Sequence, residues 1–309
     1  MRHLLPAGLA VASAAMCCAA ACAGLSGVAS SGHPRVGAAS APVPEAPVAQ
    51  PMIGVAGQSA AAWDKLTGVR ASLSVSYLSM AAPVSRNFLR WAEIGADGAR
   101  PVIEILPRGT TLRQVAAGAD DNWLRSLKAE VGEPVAIAFA PEANGSWYAW
   151  GGHPDLFRAA WRHVWQVIGT RDVTWLWQMS ARAGVSGYWP GRQYVTWAGL
   201  DGYFERPGAT FATVFGRAVS EVRHLTTVPL LLTETAVGPL TGHVPADIRL
   251  LFAAASAGHL AGVVWFDRAQ DDPPSHQDWL LTAAPGALAA FRQAAAAYQR
   301  AHGASATMP

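Results

Sequence analysis

The sequence predicts an α/β protein folded as a closed (β/α)8 barrel in a single domain. Eight short apolar runs alternate with segments of helical spacing, and consecutive runs begin roughly 20 to 40 residues apart. Several runs are continuously apolar, as expected for parallel strands that are buried on both faces. An open doubly wound sheet is the alternative. It is disfavoured because Gly54 and Gly57 after the first run lack the spacing of a glycine-rich phosphate loop.

Each predicted strand is a short apolar or alternating run that ends at a proline, a glycine or a polar residue. The run after Ala71 alternates strictly, Pro107 stops the third run, and Pro134 and Pro141 bound the fourth. The predicted strands are residues 52–56, 71–78, 101–106, 135–139, 173–178, 194–200, 228–232 and 262–266.

The segments between the strands carry apolar residues at intervals of three and four positions, as amphipathic helices do. In the strongest of them Trp161 and Trp165 fall on the apolar face, so both are predicted to be core residues. The interval from Ser180 to Gln193 is rich in Gly and Pro and has little room for a helix. The predicted helices are residues 59–69, 85–94, 112–131 (with a break near Gly118), 155–168, 211–225, 245–257 and 285–302.

The N-terminus predicts export. Residues 1–23 have a short basic start, an apolar run too short to span a membrane, and an Ala21-Cys22-Ala23 cleavage site. We therefore expect a secreted protein whose mature chain has no cysteine; the alternative is a cell-surface lipoprotein anchored at Cys22. Residues 24–50 predict a disordered Ala/Pro-rich linker, and residues 51–303 the barrel domain.

Composition excludes several classes of partner. The 309 residues carry a net charge of +2 with both signs mixed, so neither nucleic acid nor an anionic membrane surface is expected. The histidines are scattered without a paired spacing, so no metal site and no cofactor are predicted. We expect a monomer with a polysaccharide or oligosaccharide substrate.

Polar residues at the predicted strand ends point to the chemistry. Glu142 follows strand four and precedes an amide and three aromatic rings, a combination that suits sugar hydroxyls and sugar C–H faces. A solvated glutamate beside core aromatics is the alternative for this stretch. Glu234 follows strand seven, across the mouth of an eight-strand barrel from strand four. Two carboxyl groups about 5–5.5 Å apart perform hydrolysis in retaining glycosidases. The other polar residues at strand ends are Glu104, Gln178, Asp201, Tyr203 and Asp267.

Three stretches resemble glycoside hydrolase family 26, the β-mannanase family of clan A. The segment from Pro141 to Trp150 is similar to the family's acid/base segment. Tyr188-Trp189-Pro190-Gly191, with Gly199-Leu200-Asp201-Gly202-Tyr203, is similar to a second conserved segment, and Leu232-Thr233-Glu234-Thr235 to the nucleophile strand. The resemblance covers residues 52–295 and implies a secreted endo-β-1,4-mannanase-like glycosidase that acts by double displacement.

The resemblance also implies roles for single residues. Glu142 would be the general acid/base and Glu234 the nucleophile, with Tyr203 hydrogen-bonded near Glu234 to keep it ionised. The predicted substrate-binding residues are Asn144, Trp147, Tyr148, Trp150, Trp177, Asp201, Tyr203, Trp265 and Asp267. Two positions depart from the family pattern, since Pro141 replaces a His and Ala138 an Arg. A barrel that binds glycan without cleaving it is therefore the alternative function.

Overall fold

Eight parallel strands close into a barrel in chain order, each strand pairing with its neighbour and β8 with β1. The computed structural model describes residues 51–84, 92, 96–270 and 277–305. The strands are β1 (Met52–Ala56), β2 (Leu73–Ser79), β3 (Arg100–Leu106), β4 (Val135–Phe139), β5 (Val173–Ser180), β6 (Trp197–Phe204), β7 (Leu230–Val237) and β8 (Gly262–Phe266).

Helices follow the strands and cover the outside of the barrel. The described helices are α1 (Ala60–Thr67), α2 (Leu112–Ala116), α3 (Asp121–Glu130), α4 (Pro154–Ile168), α5 (Arg217–Leu225), α6 (Val244–Ala257) and α7 (Ala287–Ser305). A short antiparallel ribbon, β9 (Ala269–Gln270) and β10 (Gln277–Asp278), follows β8. The predicted (β/α)8 barrel is confirmed, and the open doubly wound sheet is excluded.

Alternation along each strand decides which side chains face the barrel interior, because successive Cβ atoms point to opposite faces. The interior cluster is small and contains alternate strand residues such as Val75, Val102, Ala138 and Leu231. The intervening residues, for example Ile103, Ile137 and Leu232, belong to the larger cluster between the strands and the helices. A carboxyl on the inward face near the end of a strand therefore lies at the mouth of the barrel.

β6 and β7 extend beyond their predicted ends. Asp201 and Tyr203 were predicted to follow a strand at 194–200, but they lie within β6. Glu234 likewise lies within β7 and not after it. The pairing of β6 with β7 shifts its register between Leu200 and Asp201, so that Asp201 pairs with Glu234. Such a bulge reorients side chains locally, and here it gives Glu234 the same inward face as Asp201.

Gly199 is required by the tight interior next to this bulge. A Cβ atom at Gly199 would lie 2.4 Å from Thr233 Cγ2 and 2.6 Å from its hydroxyl oxygen. The missing side chain leaves room for Thr233 to turn inward, where its hydroxyl donates to Asp201 Oδ1 at 2.6 Å. The sequence pattern places Gly199 within the predicted strand 194–200 and gives no sign of this close contact.

Most of the remaining predicted elements are confirmed, with shifted ends. The helix predicted over 112–131 is broken near Gly118 into α2 and α3. The interval 180–193 contains no long helix, only short 3-10 turns at Ser186–Tyr188 and Arg192–Tyr194. The segment before α5 is a π-helical turn, Ala212–Gly216. The helix predicted over 85–94 lies mostly outside the described residues, as do the signal and linker predicted over 1–50.

Within the part of the chain that the structure describes, none of the helices has the length and apolar character that a membrane span requires.

Candidate active site

Glu142 lies in a tight turn directly after β4, and the turn has an unusual backbone. Ala140 and Glu142 both have positive φ angles, 49° and 52°. Non-glycine residues rarely adopt this conformation, and it is found preferentially at functional sites. The turn is tied to β5 because the Glu142 N–H donates to the Gln178 carbonyl at 3.2 Å. The backbone thus holds the carboxyl at the mouth of the barrel.

Asn144 connects the same turn to the end of β5 and to the loop that follows β5. Its amide nitrogen donates to the carbonyls of Ser180 (2.7 Å) and Ala183 (3.2 Å), and its amide oxygen accepts from the Ser180 N–H at 2.9 Å. The side chain is buried. Because these contacts use both amide protons, Asn144 braces the loop, and the structure lends no support to its predicted contact with substrate.

Three aromatic rings follow Glu142 and differ in exposure. Trp147 and Tyr148 are 47% and 36% exposed, and the Trp147 indole N–H donates to Glu142 Oε2 at 2.9 Å. Trp150 is buried, stacks against Tyr148 with ring centroids 4.5 Å apart, and donates its indole N–H to the Pro141 carbonyl. Trp147 and Tyr148 are therefore exposed rings beside the carboxyl, whereas Trp150 is a buried ring that packs against Tyr148.

Glu234 is held by two tyrosines. Tyr203, on β6, donates its hydroxyl to Glu234 Oε2 at 2.6 Å, so the hydrogen bond expected from the family resemblance is present. Tyr77, on β2, donates its hydroxyl to Glu234 Oε1 at 2.5 Å. Sequence reasoning missed Tyr77 as a site residue. Tyr77 follows Leu73 and Val75 at two-residue spacing, and their side chains face the interior. This spacing is the sequence signal that could have identified Tyr77 as an inward-facing residue.

A buried polar network lies beside this pair. The Gln178 amide nitrogen donates to Glu104 Oε1 and to Asp201 Oδ2, both at 2.9 Å. The three side chains are 1 to 3% exposed. Asp201 was predicted to bind substrate. With its oxygens bonded to Gln178 and Thr233, it instead supports the strand ends that carry Tyr203 and Glu234.

Four carboxyls thus meet at one end of the barrel, and their surroundings oppose ionisation. Burial raises the pKa of Glu142 to about 7, helped by the negative charge of Glu234 and opposed by the Trp147 hydrogen bond. Burial also raises the pKa of Glu234, against the hydrogen bonds from Tyr203 and Tyr77. The pKa values of Glu104 and Asp201 lie well above their usual range, first because of burial and then because of the charge on Glu234.

This arrangement separates two acidic roles. Glu142 accepts the Trp147 indole N–H and borders the exposed rings, and burial raises its pKa enough for it to carry a proton near neutral pH. Glu234 accepts a hydroxyl hydrogen bond on each oxygen, and such bonds favour the ionised form. A protonated acid and an ionised carboxylate at one mouth can serve as proton donor and nucleophile.

Two of the predicted sugar-binding rings are core residues instead. Trp177 is completely buried, contacts Trp189 edge to face, and donates its indole N–H to the Tyr188 carbonyl. Trp265 is 1% exposed and packs against Phe291 of α7. Both lie on the outward face of their strands, against the surrounding helices and loops. The structure therefore places Trp177 and Trp265 in the core and lends no support to their predicted contact with substrate.

Asp267 is also structural. Its Oδ1 atom accepts the Leu281 N–H at 2.7 Å, its Oδ2 atom accepts from the Gln58 amide, and the residue is 3% exposed. It connects the end of β8 to the loops after β1 and β10, and the structure lends no support to its predicted contact with substrate.

Within residues 51–84, 92, 96–270 and 277–305, no group of three or more His, Cys, Asp or Glu side chains is arranged to hold a metal ion.

The burial of the tryptophans predicts opposite effects of two substitutions. Trp265→Ala should lower the free energy of unfolding by about 3–5 kcal/mol because it leaves a large cavity. Trp147→Ala should change it by less than about 1 kcal/mol, since the ring is half exposed. Urea denaturation of both variants measures this. A Trp265→Ala protein of wild-type stability with weakened glycan binding would restore the original prediction.

Solved structures resemble this barrel at low sequence identity. The endo-β-1,4-mannanase of Cellulomonas fimi (a double mutant) superposes with a TM-score of 0.62 at 16% identity, covering 81% of this chain and 71% of the other. The GH26-CBM35 β-(1,4)-mannanase of Podospora anserina superposes with a TM-score of 0.56 at 13% identity, covering 79% and 60%. These similarities concern the fold alone.

Sequence comparison gives the family. A curated relative, Endoglucanase H of Acetivibrio thermocellus, is 27% identical over an alignment of 206 residues, and the match covers 59% of this chain and 21% of that protein. The chain therefore spans about a fifth of the length of this relative. The family model described as glycosyl hydrolase family 26 matches residues 83–250, just over half of the 309 residues. The chain belongs to glycosyl hydrolase family 26.

Proposed function

We propose that this protein is a retaining glycoside hydrolase that cleaves β-linked polysaccharide. Glu142 is the general acid/base and Glu234 the nucleophile. The observation that carries the proposal is the contrast between the two carboxyls. Glu142 has a pKa of about 7 beside two exposed rings, whereas Glu234 accepts a phenol hydrogen bond on each oxygen.

The reaction follows from these surroundings. Glu142 donates its proton to the glycosidic oxygen while a Glu234 oxygen forms a bond to the anomeric carbon, and the bond to the leaving sugar breaks. Glu142, now ionised, takes a proton from water, and that water releases the sugar from Glu234. Tyr203 keeps Glu234 ionised before attack, and Trp147 and Tyr148 offer ring faces to the substrate.

The substrate class is a β-mannan or a glucan. This part of the proposal is supported by the names of the relatives, which are an endoglucanase and β-1,4-mannanases. Family membership supports glycosidase chemistry, and the exposed Trp147 and Tyr148 beside Glu142 support binding of a sugar ring.

Release of reducing ends from a panel of β-mannans and β-glucans tests the activity. Glu234→Ala should abolish release, because no nucleophile remains. Glu142→Ala should slow cleavage of polysaccharide by about 10²–10⁴-fold but spare aryl glycosides with good leaving groups, which need little protonation. Glu133→Ala, an exposed carboxyl before β4 and so at the opposite end of the barrel, is the matched control and should behave as wild type.

Two results would contradict the proposal. Glycan binding without release of reducing ends from any polysaccharide would favour the glycan-binding barrel. A first product of inverted anomeric configuration, followed by NMR spectroscopy, would exclude the retaining mechanism.

The pH profile should reflect the protonated state of Glu142. Because the acid must hold its proton, kcat/KM should fall as the pH rises through about 7. Trp147→Phe removes a hydrogen bond that lowers the pKa of Glu142, so the alkaline limb should move to higher pH. Tyr148→Phe keeps a ring and does not alter the bond from Trp147, so it should leave the limb in place. An alkaline limb that is the same in Trp147→Phe as in wild type would contradict this assignment.

Secretion completes the proposal, and it is supported by the basic start, apolar run and Ala-Cys-Ala site within residues 1–23. Expression of the full chain in a bacterial host with intact export should yield a protein that begins after Ala23, as read by mass spectrometry. A lipid-modified N-terminus at Cys22 would favour the cell-surface form, and an uncleaved cytoplasmic chain would contradict export.

A further inference from the structure

Tyr77 contacts the proposed nucleophile, and the reaction steps described above assign it no role of its own. We propose that Tyr77 is a positioning residue that, together with Tyr203, orients the Glu234 carboxylate for attack on the anomeric carbon. The inference rests on the proposed function, and it assigns a role to a residue on a strand that contributes nothing else to the reaction. Its hydroxyl lies 2.5 Å from Glu234 Oε1, and the Tyr203 hydroxyl lies 2.6 Å from Oε2.

The two tyrosines approach Glu234 from different directions. Tyr203 stands on β6, the strand adjacent to β7. Tyr77 stands on β2, which is separated from β7 by β8 and β1, so its side chain reaches Glu234 across the barrel mouth. A single donor would let the carboxylate rotate about its terminal bond with the other oxygen unrestrained. Two donors on two oxygens fix both its position and its plane.

The strand geometry holds Tyr77 in this place. On β2 it lies on the same inward face as Leu73 and Val75, and it pairs in register with Glu104 on β3. Both hydroxyl distances fall in the range of hydrogen bonds from O–H to an ionised oxygen, about 2.5–2.7 Å. Each contact is therefore one in which a phenol hydroxyl can donate to an ionised Glu234 oxygen.

The acidic groups around Glu234 disfavour its ionised form, so hydrogen-bond donors are needed to stabilise the carboxylate. The titratable groups that face it are Tyr77 on β2, Glu104 on β3, Glu142 and Tyr148 after β4, and Asp201 and Tyr203 on β6. The negative charge of Glu234 interacts unfavourably with all three acids. Burial raises the pKa of Glu234, and the two phenol hydrogen bonds lower it. Loss of the Tyr77 hydroxyl would leave Oε1 without this donor and favour protonation, which removes the nucleophile.

The bond changes explain why orientation matters. An electron pair on one Glu234 oxygen forms the bond to the anomeric carbon. The pair of the broken glycosidic bond stays with the leaving oxygen, which takes the Glu142 proton. The attacking oxygen must lie in line with the breaking bond, and a small misplacement costs a large factor in rate. Hydrogen bonds from two strands provide this alignment before the substrate arrives.

The test compares Tyr77→Phe with Tyr298→Phe as a matched control. Tyr298 is buried and, like the partly buried Tyr77, donates its hydroxyl at 2.5 Å, but to the Leu260 carbonyl, and it lies on α7 and not in the barrel mouth. Tyr77→Phe should lower kcat by about 10- to 100-fold, the cost of one hydrogen bond to a charged group, with KM changed by less than about threefold. Tyr298→Phe should leave kcat unchanged.

A titration of Glu234 gives a readout that does not require turnover. NMR of protein labelled with ¹³Cδ-glutamate, assigned with Glu234→Gln, follows the ionisation of this carboxyl directly. Its pKa should rise by about one unit in Tyr77→Phe, the shift that corresponds to a tenfold change in equilibrium, and stay unchanged in Tyr298→Phe. The acid limb of kcat/KM should move to higher pH by the same amount.

The outcomes are distinguishable. An unchanged Glu234 titration and an unchanged kcat in folded Tyr77→Phe would overturn the inference. A shifted titration in a protein that cleaves no glycan would contradict the proposed function and still support the orientation of Glu234 by Tyr77. If Tyr77→Phe does not fold, 3-fluorotyrosine at position 77 serves instead. Its more acidic hydroxyl should lower the pKa of Glu234, and a pKa that does not fall would overturn the inference.

Discussion

The geometry of the site depends on one constraint, the strict alternation of side chains along eight parallel strands that close on themselves. Because the barrel closes, every inward side chain near a carboxyl strand end faces the same mouth. This constraint brings Tyr77, Glu104, Gln178 and Glu234 together although they are far apart in sequence. It also removes Trp177 and Trp265 from the mouth, because each occupies an outward position next to an inward one.

Deviations from regular geometry are concentrated at the two proposed catalytic carboxyls. Glu142 lies in a turn with two left-handed residues, and Glu234 lies where β7 shifts register against both neighbouring strands. In each case neighbouring residues accommodate or stabilise the irregular backbone. The Asn144 amide braces the turn, and the side-chain space left by Gly199 accommodates Thr233. A regular strand or turn at either position would direct the carboxyl elsewhere, so the irregularities belong to the site.

Electrostatics then separates the roles of otherwise similar groups. Four carboxyls share a mouth where burial raises the pKa of each of them. Hydrogen-bond donors distinguish among them: one indole N–H reaches Glu142, two phenols reach Glu234, and one amide joins Glu104 to Asp201. Where burial disfavours the ionised form of four neighbouring carboxyls, each hydrogen-bond donor affects which of them is ionised. A single hydroxyl group can therefore affect the proposed reaction.

The sequence by itself determined the number and order of the strands, the break near Gly118 and the absence of a long helix at 180–193. It also singled out Glu142 and Glu234, the two carboxyls that we propose as catalytic. Hydrophobic periodicity and turn residues are local signals, and a family resemblance depends on the order of residues along the chain. All of this information is contained in the sequence. The tertiary structure alone decided that Tyr77 reaches Glu234, that Asn144 and Asp267 brace loops, and that Trp177 and Trp265 are core residues. These outcomes depend on register, on the bulge in β7 and on contacts across the barrel. They arise only when strands distant in sequence pair and the barrel closes.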